Sequence, residues 1–389
     1  YQQTLVLSIA EVQASARLSD HKRLIHSLEK QGRLNRGLEG LPDDANMDER
    51  ARVQAGLTRP EISVLLAYSK MRLFDELMAA NIGNDAYLAR SLEHYFPKVL
   101  SKKYPTAIAS HPLRSEIIAT HVTNQIGNRM GSTFGNYLQE EMGAEAGDIA
   151  RAFTAACDII DSQSLWHELD RVTLIIDYPK SMQLHKNIQT LLEDLTLWLL
   201  SQHPGQTIQT MVDQYQKPMA IYYSELTHLL PQEAIHRINA QADELTAMGM
   251  DSQISQRLSQ LEFLYYGLDV ARVASECQTK VTTTAQTWYR LYEKFQGDWL
   301  NQAIANLPIK DQWQRKAKGS LKQEFEASLA QLTHAVIVGD QDPAWELRNG
   351  ALIERCLAIL GELQSNTNIN LAMLSVAVRE IAKLKTSST

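Results

Sequence analysis

The tetrapeptide Thr58-Arg59-Pro60-Glu61 and the apolar run behind it constrain this chain more than any other feature. A threonine followed three residues later by glutamate is a capping box. Thr58 is placed to accept from the N–H three residues on, and Glu61 to reach back to the Thr58 N–H. Pro60 falls in the first turn, where its missing donor costs nothing. Leu57 and Ile62 are spaced for the hydrophobic staple that sets the entry angle. The apolar residues that follow are Ile62, Val64, Leu65, Leu66, Tyr68, Met71, Leu73, Phe74, Leu77 and Met78. They spread around most of a helix, so the helix is expected to be buried on more than one side. Lys70, Arg72, Asp75 and Glu76 interrupt it too often for a membrane span. Arg59 breaks a local rule, because a cation in the first turn opposes the positive end of the helix dipole. A compensating contact is expected there. Either it is an ion pair with Asp43, Asp44 or a carboxylate of another helix, or Arg59 makes an inter-domain contact, for which its planar fork suits a carboxylate.

The same punctuation recurs along the chain. Gly32 is placed to end a pair of N-terminal helices, and residues 34–55 read as a loop around Pro42-Asp43-Asp44 with a short helix near 47–53. A helix over 113–130 should stop at Gly131, and helices over 148–160 and 162–176 follow. Pro179 marks a new start, with Leu184, Ile188, Leu191, Leu192, Leu195 and Leu199 on its buried face. The segment 206–230 contains Pro218, which should kink or split it, and 232–248 completes that pair. Further helices are expected over 251–266, 269–277, 283–295, 298–306, 310–338, 342–364 and 369–385. Thr283 with Gln286 reads as a second capping box and Asp342-Pro343 as an N-cap followed by Pro at the first helical position. Residues 386–389 should fray. The only short β-branched runs, 172–176 and 335–338, lie inside helical periodicity. The expectation is an all-α, multi-helix bundle in two helical subdomains, with no substantial sheet. The expected segments are 1–55, 56–178 and 179–389, the last division placed at the proline break. No fixed-length repeat points to a solenoid.

The charge balance narrows the partners. Lys plus Arg number 38 against 45 Asp plus Glu, a net charge of −7. That argues against nucleic acid, which needs a clustered basic face. With 44% hydrophobic and 21% charged residues the chain is globular. Cys157, Cys277 and Cys356 are far apart and odd in number, which reads as buried thiols in a reducing, cytoplasmic setting. No run of roughly 18 apolar residues is present to span a membrane. The chain opens on Tyr1 rather than Met, so it is expected to be a piece of something longer.

Candidate chemistry is sparse. Gly127, Gly131 and Gly135 in GNRMGSTFG invite a phosphate-cradling reading, but neither the Lys-Ser/Thr of a P-loop nor a G-x-G-x-x-G after a strand accompanies them. A helix end with close packing is the stronger reading. His111, His121, His167, His185, His228 and His236 lack metal-ligand spacing. Glu168 and Arg171 read as a solvated ion pair, despite the neighbouring His167 and Asp170. Trp288, Tyr289, Tyr292 and Phe295, with Trp299 nearby, read as a core or interface ridge ahead of a binding platform. The residues themselves place no catalytic, cofactor or metal site on this chain.

Several runs carry a family resemblance. GLTRPEISVLLAYSKMRLFDELMAAN, YLARSLEHYFP, LRSEIIATHVTNQIGNRMGSTF, DWLNQAIANLP and DQWQRKAK occur in order and cover much of the chain. Together they resemble the large multidomain bacterial NAD-specific glutamate dehydrogenases, in the helical region that follows the dehydrogenase core. The chain departs from the family's pattern after Trp313, reading KGSLKQEFE at 318–326. The resemblance implies a parent that deaminates L-glutamate oxidatively with NAD, with its catalytic and nucleotide-binding residues upstream of Tyr1. It implies a homo-oligomer in which this region is a scaffold, packing or regulatory element beside the upstream dehydrogenase domain. The alternative is an independent helical protein-interaction module.

Overall fold

The computed structural model describes residues 2–173, 175–308, 312–339 and 342–384. Among the described residues every regular element is a helix: 22 α-helices and two short 3-10 turns, with no strand. Residues 335–338 lie inside the Gln312–Val338 helix, whereas the helix expected over 162–176 ends at Val172, and Thr173, Ile175 and Ile176 follow as turn and bend. The chain is all-α, and no described helix is long and apolar enough to cross a membrane.

Two compact units divide the chain. One comprises Tyr1–Gln214 with Gln241–Glu262, the other Tyr215–Ala240 with Phe263–Thr389. The division therefore does not fall at Pro179. Pro179 starts the Tyr178–Gln202 helix, which packs along Ala146–Ile159 within the first unit. The leucine-rich face read from the sequence drives that packing, with Leu184, Ile188, Leu192 and Leu195 almost fully buried.

Within the first unit the Arg59–Ala79 helix packs against Arg114–Met130, Gln2–Val12, Ala146–Ile159 and Leu18–Lys30. Neighbours on several sides account for its broad apolar circumference. Thr58 is the N-cap, in extended conformation, and forms a capping box with Glu61. The Thr58 N–H donates to Glu61 Oε2 at 2.7 Å. Leu57 and Ile62 are both buried, in one cluster with Leu24, Ile25, Leu28 and Leu65. Asp43 caps the Asp44–Arg52 helix through the Asn46 N–H at 2.8 Å.

The second unit is built on the Val281–Lys294 helix, which packs against Gly267–Glu276 and Gln312–Val338; the latter also meets Leu371–Lys383. Trp288, Tyr289, Tyr292 and Phe295 are all buried, so the aromatic group is a core ridge. Its tyrosine hydroxyls are paired: Tyr222 and Tyr289 hydroxyls lie 2.6 Å apart, and Tyr292 Oη donates to Asp298 Oδ1 at 2.9 Å, while the buried Trp288 Nε1 has no hydrogen-bond partner among the described residues. This helix begins at Val281 with Lys280 as N-cap, so Thr283 is not a cap. Instead Thr284 turns its hydroxyl back to the Lys280 carbonyl at 3.2 Å. The Ile208–Leu229 helix runs through Pro218 without splitting. Buried Tyr215, Met219 and Tyr222 anchor it on either side of the lost hydrogen bond. The expected cap at Asp342-Pro343, the outermost residues of the 310–338 and 369–385 helices and the tail 386–389 fall outside the described side chains or residues.

Candidate functional site

The polar residues of the first unit converge on the Arg59–Ala79 and Phe134–Met142 helices. Arg72 is only 8% exposed, inside a helix packed on several sides. Its guanidinium is fully engaged across helices. Nε donates to Glu76 Oε1 at 2.7 Å, Nη1 to Asn136 Oδ1 at 2.9 Å and Ser27 Oγ at 3.2 Å, and Nη2 to Gln139 Oε1. Gln139 returns Nε2 to Glu76 Oε2 at 2.8 Å. Asn136 Nδ2 continues to Glu140 Oε1 at 2.9 Å, and Arg23 Nε to Glu140 Oε2 at 2.6 Å. Arg23 and Arg17 both meet buried Asp20, at 2.5 and 3.5 Å, and Arg17 Nη2 donates to Glu193 Oε2 at 2.9 Å. One ladder of alternating cations, amides and carboxylates thus joins the Arg59–Ala79, Phe134–Met142, Leu18–Lys30 and Tyr178–Gln202 helices.

A second cluster lies around Arg129. It holds Asp170 with two parallel bonds of 3.1 and 2.7 Å and stacks over Trp166 at 4.9 Å. His185 is buried beside this pair, and burial lowers its pKa to about 4. His21, buried against Asp20 and Arg17, is lowered to about 4 for the same reason.

The glycine-rich turn sits between these groups. Gly131, at φ +83°, ends the Arg114–Met130 helix in a conformation suited to glycine. Gly127 makes room for the stem of Lys70: an added Cβ there would stand 2.5 Å from Lys70 Cε. The two cavities against the turn hold about 30 Å³ each, the space of one water. No strand precedes the turn among the described residues. The turn ends the Arg114–Met130 helix and lets Lys70 pack against it.

The remaining sequence candidates are also placed. Glu168 and Arg171 are paired at 2.6 and 2.9 Å, but Glu168 is buried, not solvated. It accepts the Asp251 N–H at 2.8 Å while Arg171 donates to the Gly249 carbonyl at 2.8 Å, so the pair ties the turn at 249–251 to the Ser162–Val172 helix. The Arg171 hydrogen bond is the main cause holding the Glu168 carboxyl at about 2. Arg59 lies over the Gln2–Val12 helix, with Nη1 on Ser8 Oγ and Glu11 Oε2 and Nη2 on the Thr4 carbonyl, each at 3.1 Å. Its carboxylate partner is Glu11, neither Asp43 nor Asp44. Asp44 instead receives Arg36 at 2.8 Å and His26 at 2.9 Å. Within the described residues Arg59 thus makes the intradomain form of the contact. Glu61 carries more than its cap, since Arg50 grips it with bonds of 2.7 and 2.9 Å. Burial pushes the Cys157 and Cys356 thiols up to about 12, which removes them as thiolate nucleophiles near neutrality. Among the described residues no group of three or more His, Cys, Asp or Glu is arranged to hold a metal.

Sequence reading missed the Arg72 ladder. Its one signal was the register: Arg72 stands one heptad beyond buried Leu65, on a buried stripe, and a charge there requires partners.

The chain is 27% identical to the NAD-specific glutamate dehydrogenase of Halomonas elongata, over all of this chain and 25% of that protein. It is 28% identical to the protein of the same name from Pseudomonas aeruginosa, over all of this chain and 24% of the relative. For the Mycobacterium tuberculosis protein of that name the identity is 24%, over 98% of this chain and 24% of the relative. The chain thus spans about a quarter of the length of these relatives. The family described as "Glutamate dehydrogenase, C-terminal" matches residues 54–383, and the chain belongs to that family.

Proposed function

We propose that this chain is the C-terminal helical region of an NAD-dependent glutamate dehydrogenase and acts there as a scaffold, domain-packing or regulatory element. The parent converts L-glutamate, NAD and water to 2-oxoglutarate, ammonia and NADH. NAD binds in the upstream dehydrogenase domain, and residues 1–55 join that domain to the helical units. The parent works as a cytoplasmic homo-oligomer. The observation that carries this reading is the match to proteins of that name across the whole chain but only a quarter of their length. The polar groups at the centre of the first unit support the non-catalytic part, because their hydrogen bonds link helix to helix. Calorimetric titration of the 389-residue chain with NAD, together with a glutamate oxidation assay, tests the reading. Neither binding nor turnover is expected, while the longer protein shows both. A micromolar NAD affinity of the chain alone would overturn it.

A further inference from the structure

A groove of about 620 Å³ runs between the Arg59–Ala79 and Arg114–Met130 helices, a size in the range of small-molecule pockets. Met71, half exposed, and Phe74 form an apolar wall. Two polar features converge on it. Lys70 donates to Asn124 Oδ1 at 3.2 Å and Asn128 Oδ1 at 2.5 Å, and among the described residues no carboxylate pairs with its ammonium. Thr123 is 5% exposed and its hydroxyl has no hydrogen-bond partner. A buried hydroxyl left unpaired is costly, and so is a half-buried cation neutralised only by amides. Gly127 fixes where the ammonium sits, since any larger residue would strike the Lys70 stem.

We propose that this groove binds a small monocarboxylate with an apolar body. Its carboxylate accepts from Lys70 Nζ and, after a rotation of the Thr123 side chain that brings its buried hydroxyl to the groove, from Thr123 Oγ1; its body lies on Met71 and Phe74. Charge selects a monoanion. Arg33 on the same wall is neutralised by Asp75 at 2.6 Å, which leaves Lys70 as the net charge and sets a carboxylate against any dianion. The apolar wall selects against a bare inorganic anion, which would leave it wet. The inference is independent of the role proposed for the parent, because it concerns what this groove binds in any setting.

Hydrogen–deuterium exchange on the full-length protein tests it, with hexanoate, hexan-1-ol and inorganic phosphate as probes. Hexanoate should slow exchange in peptides covering 66–78 and 119–128, and the alcohol and phosphate should not. Lys70→Met keeps the stem and removes the charge. It should raise the hexanoate concentration for half-protection by about tenfold or more, the value of one charge-assisted hydrogen bond. Thr123→Val, nearly isosteric, should weaken protection severalfold, and it keeps the test decisive if Lys70→Met melts early. Absence of protection by hexanoate overturns the proposal. So does equal protection by hexan-1-ol, which would mark an apolar surface only, or by phosphate, which would mark an adventitious ion only. Undiminished protection in a folded Lys70→Met protein overturns it as well.

Discussion

Acid should destabilise the first unit well above the pH at which its carboxylates protonate, and two histidines are the reason. His21 and His185 are 3% and 2% exposed. His21 faces Asp20 and Arg17; His185 faces Asp170 and Arg129. In each case the carboxylate is already engaged by arginine, so desolvation dominates and the pKa falls to about 4. His21 Nδ1 and His185 Nε2 have no hydrogen-bond partner to stabilise an added proton. Both folded pKa values lie below the usual 6.5, so the unfolded chain binds more protons in the interval. The stabilisation is complete above pH 6.5 and is lost as pH falls toward 4. The gap corresponds to about 3 kcal/mol per histidine at the acid end, and roughly half of that each at pH 5.5. Two such losses at pH 5.5 total about 3 kcal/mol, a large share of a typical domain stability of about 5–15 kcal/mol. Urea denaturation followed by circular dichroism at pH 7.5, 6.5 and 5.5 reads this directly. The interval lies about one unit or more above ordinary carboxylate values; burial raises the Glu193 carboxyl, and where it titrates in this interval it opposes the histidines. The double variant His21→Gln, His185→Gln should be less stable at pH 7.5 but should lose most of the pH slope. An equal slope in both proteins would refute the argument.

Other perturbations separate the roles assigned above. Arg72→Met strands buried Asn136 and leaves the part-exposed Glu76 and Gln139 without their cation, and should cost about 1–3 kcal/mol by urea denaturation; Arg72→Lys should recover only part of it, because an ammonium cannot serve the same fork of acceptors. Glu61→Ala should exceed the roughly 0.5–2 kcal/mol expected for Thr58→Ala, since it also releases Arg50, and Glu61→Gln should fall between them in thermal melting. Arg59→Ala should change stability by less than about 1 kcal/mol, because a half-exposed pair with Glu11 is weak and removal of a cation from the first turn offsets part of its loss. The same small change is expected in the chain and in the longer protein. A loss confined to the longer protein would restore the inter-domain account.

Much of the fold was legible because local signals and packing agreed. Thr58-x-x-Glu61, Gly131 after the Arg114–Met130 helix and the leucine face behind Pro179 each name an element that exists. Agreement failed where tertiary partners decide. Pro218 is a strong breaker locally, yet Tyr215, Met219 and Tyr222 hold the helix through it. Thr283 carries a cap signature, but Thr284 closes onto Lys280 and the helix starts earlier. Proline at 179 was read as a domain break, whereas in a first helical turn it marks only a beginning. The Arg72 ladder was invisible for a different reason. Its members, Arg17, Asp20, Arg23, Arg72, Glu76, Asn136, Gln139, Glu140 and Glu193, come from four helices far apart in sequence. No spacing rule links them until those helices are packed.

That ladder bears on what the first unit can be. Buried ion pairs add little net stability over apolar residues of similar volume, because desolvation consumes most of the attraction. Their effect is on alignment. The fork of Arg72 reaches Asn136 and Gln139 only in one register of the Arg59–Ala79 helix against Phe134–Met142, while Glu76, one turn on in the same helix, stays with it in any register. A slip of one turn, about 5.4 Å, would take both amide acceptors from the guanidinium and leave buried Asn136 unpaired with it. Arg23 and Arg17 impose the same condition on the Leu18–Lys30 and Tyr178–Gln202 helices through Glu140 and Glu193. A purely apolar interface would tolerate such slips, since leucine meets leucine in either register. A unit whose helices are held to one alignment keeps its outer faces in fixed relation, and that rigidity is what a scaffold needs.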